Sequence, residues 1–323
     1  MKRKQRRNNE TVVRFGWGLL ILTTAILLWQ GWNFAKNSKK EAQLVFVGDI
    51  MLSRNIGDTI EKKGSSFYLF EKTKQILSSA DVTFGNLETP VSLRGENQGS
   101  IYSFRSDPKA LVGLRDAGFD ALSVANNHAF DWGALAFEDT LANLKKNNIT
   151  PVGGGENFTD AHTPRIFTIG RLKIAYLGYS QFAWPSISDK NATPALGTID
   201  VVQIKKDIEN AHAQGADTVV VSLHWGDEYE IHANEFQKYT AHTLIDAGAD
   251  IIIGHHPHVV EEVEEYHGGL IAYSLGNFIF DQNFSLDTRK GLMLKVSISG
   301  GKVYAHEKTN IAFEKGFVPY ISK

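Results

Sequence analysis

The sequence predicts an α/β fold. Short β-branched runs alternate with amphipathic stretches, closely spaced strands without intervening helices end the chain, and a polar cluster follows each of five early strands. With 323 residues, 42% of them hydrophobic, the chain is long enough for a large core and too ordinary in composition for a disordered or fibrous protein.

The chain opens on charge and then on apolarity. Lys2, Arg3, Lys4, Arg6, Arg7 and Arg14 face only Glu10 in residues 1–14, so the remainder is net acidic in a chain of formal charge −2. An acidic domain is a poor partner for nucleic acid, whose binding rests on Lys and Arg neutralising phosphates. The run 15–32 is interrupted only by Thr23, Thr24 and Gln30, which approaches the ~20 apolar residues of a membrane-crossing helix. Trp17, Trp29 and Trp32 sit near its ends as interfacial anchors. The basic tail before it predicts a cytoplasmic N-terminus and an extracytoplasmic remainder. No small-x-small cleavage pattern follows, so an uncleaved anchor is expected over 15–34, then a polar linker over 35–42 and a folded domain over 43–323.

Within that domain, the runs 44–47, 82–84, 121–124, 218–223 and 250–253 read as buried strands, whose two covered faces make them continuously apolar. The segments 67–79, 109–117, 133–147, 201–215 and 235–247 read as helices, several stopped by Gly or Asn. From residue 259 the spacing changes: 259–266, 270–274, 292–297 and 303–310 read as strands, with Gly-Gly turns at Gly268 and Gly300 that predict antiparallel pairing. The stretches 151–160 and 184–197 are rich in Gly, Pro, Asn and Ser and read as loops.

The chemistry collects after the early strands. Gly48-Asp49, Gly85-Asn86-Leu87-Glu88, Asn126-Asn127-His128, His224-Trp225-Gly226 and Gly254-His255-His256-Pro257-His258 each follow one of them. Strand ends in one sheet converge, and ligands of open α/β sheets bind at carboxyl ends. Carboxylate, carboxamide and imidazole at five such ends predict a metal centre, and the absence of cysteine excludes thiolate ligands. The mixture of hard oxygens with imidazoles suits Mn, Fe or Zn better than Ca. A pair of such ions clamps a phosphate and activates water, and His128 is placed to protonate the leaving group. Arg54 lies just after the first cluster, within reach of a phosphate oxygen, and Tyr273, Asn277 and Asp281 form a late motif that lines the same cleft. The acidic run Glu261, Glu262, Glu264 and Glu265 reads as a solvated strand and turn.

In order, these clusters resemble the GD, GD, GNH, H and GHxH pattern of calcineurin-like metallophosphoesterases. The longer motifs VGDIMLSR, GNLETPV, VANNHAFDWG, VSLHWGDEY, IIGHHPHVVEEVE and IAYSLGNFIFD resemble the CapA-type poly-γ-glutamate capsule biosynthesis family, across residues 47–281. The resemblance implies a four-layer α/β/β/α sandwich behind the anchor, with Asp49 and His258 at one metal, Asn127, His224 and His256 at the other, and Glu88 as the bridging acid beside Asn86. It implies one or two divalent ions, with Arg54, Asn86 and Asn277 toward substrate. Two departures stand out: Met51 occupies the place of a second ligand in a DxH motif, and Ala129 follows His128 where an acid is usual. The implied role is capsule polymer biosynthesis or export beside integral-membrane synthase subunits, through phosphoester hydrolysis or, alternatively, by holding an anionic polymer without cleaving it.

Overall fold

The architecture follows from the apolar runs. In the computed structural model, which describes residues 41–182, 191–313 and 317–322, the strand β1 (Glu41–Ile50) is followed by its parallel neighbours β2 (Val82–Leu87), β3 (Ala121–Ser123) and β4 (Thr150–Val152). The other edge of β1 is shared. Its first half pairs antiparallel with β14 (Lys290–Ser299), and its last residues pair parallel with β13 (Asn277–Ile279). β15 (Lys302–Phe313) and β16 (Pro319–Ile321) continue outward from β14, completing an eight-stranded sheet. A second, six-stranded sheet runs in the order β11 (Val263–Tyr266), β12 (Gly269–Ala272), β10 (Ile251–His255), β9 (Thr218–His224), β7 (Leu172–Ser180) and β6 (Arg165–Ile169).

The five strands that carry the polar clusters therefore lie in two sheets, three in the first and two in the second, and not in one. Successive side chains of a strand point to opposite faces, and here both faces are apolar. Leu44, Phe46, Val82 and Phe84 share a core with Val220, Ile251 and Ile253, which is the layer between the sheets. Val45, Val47 and Leu122 instead pack with α1 (Arg54–Lys63), α3 (Leu111–Ala117) and α4 (Gly133–Lys146) through Ile56, Leu114 and Phe137. On the far side, Val219, Val221 and Ile252 pack against α6 (Val201–Ala213) and α7 (Glu235–Asp246) through Ile204, Ile208 and Leu244. The layers are α/β/β/α, as the resemblance implied.

Other elements depart from the sequence reading. The helix expected over 67–79 is a 3-10 turn, Phe67–Phe70, followed by the single turn α2 (Lys74–Leu77). The helix α1 was not anticipated: it has only Ile56 and Ile60 buried, and it ends on Gly64 in the left-handed region. The hairpin of β6 and β7 was also unforeseen. The supposed loop 151–160 contains β5 (Gly154–Gly155), which pairs with β8 (Ala195–Leu196), and the turn α5 (Phe158–Ala161). The anchor expected at 15–34 lies outside the described residues, and among those described no helix is long and apolar enough to cross a membrane.

Two glycines hold the sheets together at one rim. Chain passing from β12 to β13 crosses from the second sheet to the first, close against both. A Cβ on Gly48 would stand 1.8 Å from the Gly276 carbonyl oxygen, and one on Gly254 1.7 Å from that of Tyr273. Glu261, expected to be solvated, is buried, and Gln237 of α7 donates to its Oε2 at 2.8 Å while closing the capping box with Asn234.

Two outcomes follow. Gly48→Ala is expected to cost at least ~2 kcal/mol, because backbone must move to admit the methyl, and this is read as a lowered Tm in thermal unfolding. Burial raises the Glu261 carboxyl to about 7. The folded protein keeps a proton that the unfolded chain has lost, so this group's contribution to stability falls as pH rises from about 4.5 to about 7. Glu261→Gln is therefore expected to melt above the wild type at about pH 8 and level with it near pH 4.5.

Candidate metal centre

Each row of the layer between the sheets ends in polarity at the same rim. Val82 and Phe84 are followed on their face of β2 by Asn86, Val220 leads along β9 to His224, and Ile251 and Ile253 lead along β10 to His255. His224 and His255 are register neighbours across β9 and β10. Asp49 stands at an irregularity of β1, where the register slips against both β2 and β13, a common way to re-aim a side chain at a site.

Asn86 organises the two buried carboxylates. Its Nδ2 donates to Asp49 Oδ1 at 2.8 Å and to Glu88 Oε2 at 3.2 Å, and lies 3.3 Å from His224 Nδ1. Its Oδ1 accepts from Asn126 Nδ2 at 3.1 Å, which ties the ends of β2 and β3 together. Burial alone would raise Asp49, but His255 and His258, each 3.3 Å from one of its oxygens, hold it well below the usual carboxylate range. Glu88 goes the other way. Burial, then the nearby charges of Asp49, Glu228 and Asp131, push it well above the usual range. Its Oε1 is buried without a hydrogen-bond partner among the described residues.

The imidazoles are oriented from behind. His258 Nδ1 lies 3.0 Å from Asn277 Oδ1, leaving Nε2 toward Glu88 Oε1 at 3.5 Å. Asn277, expected near substrate, is fully buried, and its Nδ2 donates to Thr288 and Gln282. Such outer partners fix the tautomer and aim of a metal-binding imidazole. His224 Nε2 lies 2.8 Å from Asn127 Oδ1. Burial, with the neighbouring His256, lowers His224 well below its ordinary value, and burial with His258 pushes His256 down to about 3. Both rings are therefore neutral at physiological pH, the form that binds metal. Phe182 covers His256, with ring centres 4.2 Å apart.

His128 is held by an acid that does not follow it directly. Its Nδ1 lies 2.7 Å from Oδ2 of Asp131, which is fully buried and also accepts from the Phe104 amide. The Nε2 then faces the centre, 3.9 Å from Glu88 Oε1, and the ring lies tilted against Phe104 with centres 4.0 Å apart. Arg54 lies at the edge. Its guanidinium pairs with the Asp281 carboxylate and sits 5.0 Å over the other partner of His128, Phe104. Met51 turns away: its sulfur accepts from the Ser53 amide at 3.1 Å and hydroxyl at 3.0 Å.

Asp49, Asn86, Glu88, Asn127, His128, His224, His256 and His258 thus meet at one rim, with Arg54 beside it and Asn277 behind it. The ligand atoms fall into two groups, Asp49 with Glu88 and His224, and Glu228 with His256 and His258, each within 4.8 Å. Glu228, Asp131 and Phe182 were not singled out from the sequence. Asp131 was recoverable, standing three residues after His128, whereas Glu228 lies in a loop where no periodicity marks it. Two buried carboxylates around one amide, an orphaned Glu88 oxygen and neutral imidazoles fit a divalent cation.

Comparison with known proteins shows the family. The family model "Bacterial capsule synthesis protein PGA_cap" matches residues 43–282. The chain is 37% identical over 243 residues to "PGA biosynthesis protein CapA" of Bacillus subtilis (strain 168), covering 74% of this chain and 63% of that one. It is 34% identical over 249 residues to "Capsule biosynthesis protein CapA" of Bacillus anthracis, covering 75% and 60%. The chain thus spans about three-fifths of the length of these relatives. A putative 5'-nucleotidase from Staphylococcus aureus, solved in complex with alpha-ketoglutarate, superposes with a TM-score of 0.51 at 14% identity, covering 83% of this chain and 54% of that one. That likeness shows a shared fold alone.

A metal-responsive stability is expected. Burial and the neighbouring charge of Asp49 raise the Glu88 carboxyl, so in the metal-free protein its contribution to stability falls as pH rises above the ordinary carboxylate range, and metal-free Glu88→Gln should melt above the metal-free wild type at about pH 8. Added Mn should raise the Tm of the wild type by more than that of the variant, because ligands stabilise the state they bind. Differential scanning fluorimetry with and without a chelator reads both.

Proposed function

The chain belongs to the bacterial capsule synthesis protein family, and from that premise we propose that it is a membrane-anchored protein that acts on phosphoesters during assembly or export of an anionic capsule polymer. The observation that carries the reading is the meeting of carboxylates, neutral imidazoles and the His128–Asp131 pair at one rim. Asp49, Glu88, Asn127, His224, His256 and His258 would hold one or two divalent ions, Mn, Fe or Zn. When bound, such ions clamp phosphoryl oxygens and lower the pKa of the attacking water.

The rest falls to the chain. Asp131 keeps the Nδ1 proton of His128 and so fixes the ring with Nε2 inward. A proton on Nε2 then passes to the leaving oxygen as its bond to phosphorus breaks. Arg54, one ring from His128, adds positive potential for an anionic substrate. The anchor over 15–34 would place this rim outside the membrane beside integral-membrane synthase or export subunits, where tethering raises effective concentration.

A second reading is a non-catalytic subunit that holds the polymer. It is favoured by Met51, whose sulfur is engaged by Ser53 where a further ligand would stand.

The two readings separate on p-nitrophenyl phosphomonoesters and phosphodiesters with Mn or Zn. The metal-loaded full chain is expected to turn one of them over, and His128→Ala to lower kcat by roughly 10²–10⁴-fold with bound metal unchanged by elemental analysis. Metal-loaded protein that stays inert toward both would leave the holding role.

A further inference from the structure

A buried polar cluster lies away from the rim, where α5 and α6 meet β7. Asp207 of α6 is buried, and three donors surround its carboxylate. His162 Nδ1 lies 2.7 Å from Oδ2, the Tyr179 hydroxyl donates to the same oxygen at 2.8 Å, and Gln203 Nε2 donates to Oδ1 at 2.9 Å. A carboxylate only accepts, so the His162 proton sits on Nδ1, and Nε2 of the neutral ring presents a lone pair. That Nε2 is buried without a partner among the described residues, on a side chain only 5% exposed. The bond through Nδ1 is enough to tie α5 to α6. A second ring nitrogen left buried and unmatched costs free energy unless something fills its place.

His162 lines a cavity of about 310 Å³, at the lower end of the range of about 300 to 1,000 Å³ that small-molecule sites occupy. We propose that this cavity binds a small α-amino acid as the zwitterion, its ammonium held by His162 and Asp200 and its carboxylate by Lys206 and Thr198.

The lining divides by chemistry. Toward an ammonium it offers the Nε2 lone pair and the Asp200 carboxylate, whose Oδ1 also caps α6 by accepting from the Val202 and Gln203 amides at 2.9 and 3.2 Å. Phe158 stacks on His162 with ring centres 4.1 Å apart and adds an aromatic wall, which attracts a cation through its π-electrons. Toward a carboxylate the cavity offers the Lys206 ammonium and the Thr198 hydroxyl. A simple anion would meet a lone pair and a carboxylate here, and a simple cation would meet Lys206. A ligand carrying both charges a short distance apart satisfies both halves.

The walls are held without a ligand. Asn157 caps α5 by accepting from the Asp160 amide, and Ala161 packs with Ala195 of β8. His162 is fixed from behind by Asp207, which Tyr179 and Gln203 fix in turn. None of these residues belongs to the rim, so the proposal stands apart from the metal-centre reading.

The test is calorimetric titration of the full chain with L-alanine and L-glutamate, beside acetate and ethylammonium, which each carry one of the two charges. One molecule of the tighter amino acid is expected per chain, with each fragment at least ~10-fold weaker, since an end held by charge-assisted hydrogen bonds is lost. Lys206→Gln, a surface change, and His162→Phe, which keeps a ring against Phe158, should each weaken the amino acid by at least ~10-fold, with folding verified by circular dichroism. Adding a chelator should leave the affinity unchanged. No binding of either amino acid, acetate binding as tightly, or an unaltered affinity in Lys206→Gln would overturn the proposal. Loss of binding on chelation would also overturn it, by moving the ligand to the rim.

Discussion

Two carboxylates share one carboxamide at the rim of an apolar layer, and much of the structure answers to that contact. Asp49 and Glu88 are fully buried and both accept from Asn86 Nδ2. Burying like charges together is costly unless partners or a cation offset it. Asp49 has its partners in His255 and His258, while Glu88 has one oxygen unmatched among the described residues. The surrounding apolar rows, closed between two sheets and two helical layers, supply the stability that lets such a contact persist.

Position is enforced from several directions at once. β13 docks beside Asp49 because Gly48 allows the Gly276 backbone to approach, and the Asp49 amide donates to the Gly276 carbonyl at 2.9 Å. Gly254 does the same for the passing chain next to His255. Asn126 ties β2 to β3, and Asn277 turns His258. Asp49, His224 and His258 are thus each held by a residue from another element, as rigid sites require. The chain belongs to the capsule synthesis protein family, and the share of the relatives' length beyond it leaves their whole activity to be tested directly.

Where the sequence reading was right, the signal was local. Alternation of apolar runs with helical spacing, the polar residues after each run, and the antiparallel close of the chain through β14 and β15 all stand in the structure. Asp131 shows how a local signal is overlooked: the acid that pairs with His128 stands three residues after it rather than directly after it.

What the amino-acid order determined by itself was the inventory: an α/β chain, five polar strand ends, and a donor set free of sulfur thiolates. Tertiary structure alone decided how that inventory is divided. A strand apolar on both faces reads identically whichever sheet it joins, so nothing in the runs could say that β9 and β10 belong to a second sheet facing the first. That division brings His224 and His256 across to Asp49 and Glu88, swings Glu228 in from a loop without periodicity, and buries Glu261 within an acidic run. Each of these depends on contacts between residues far apart in the chain, which local pattern does not encode.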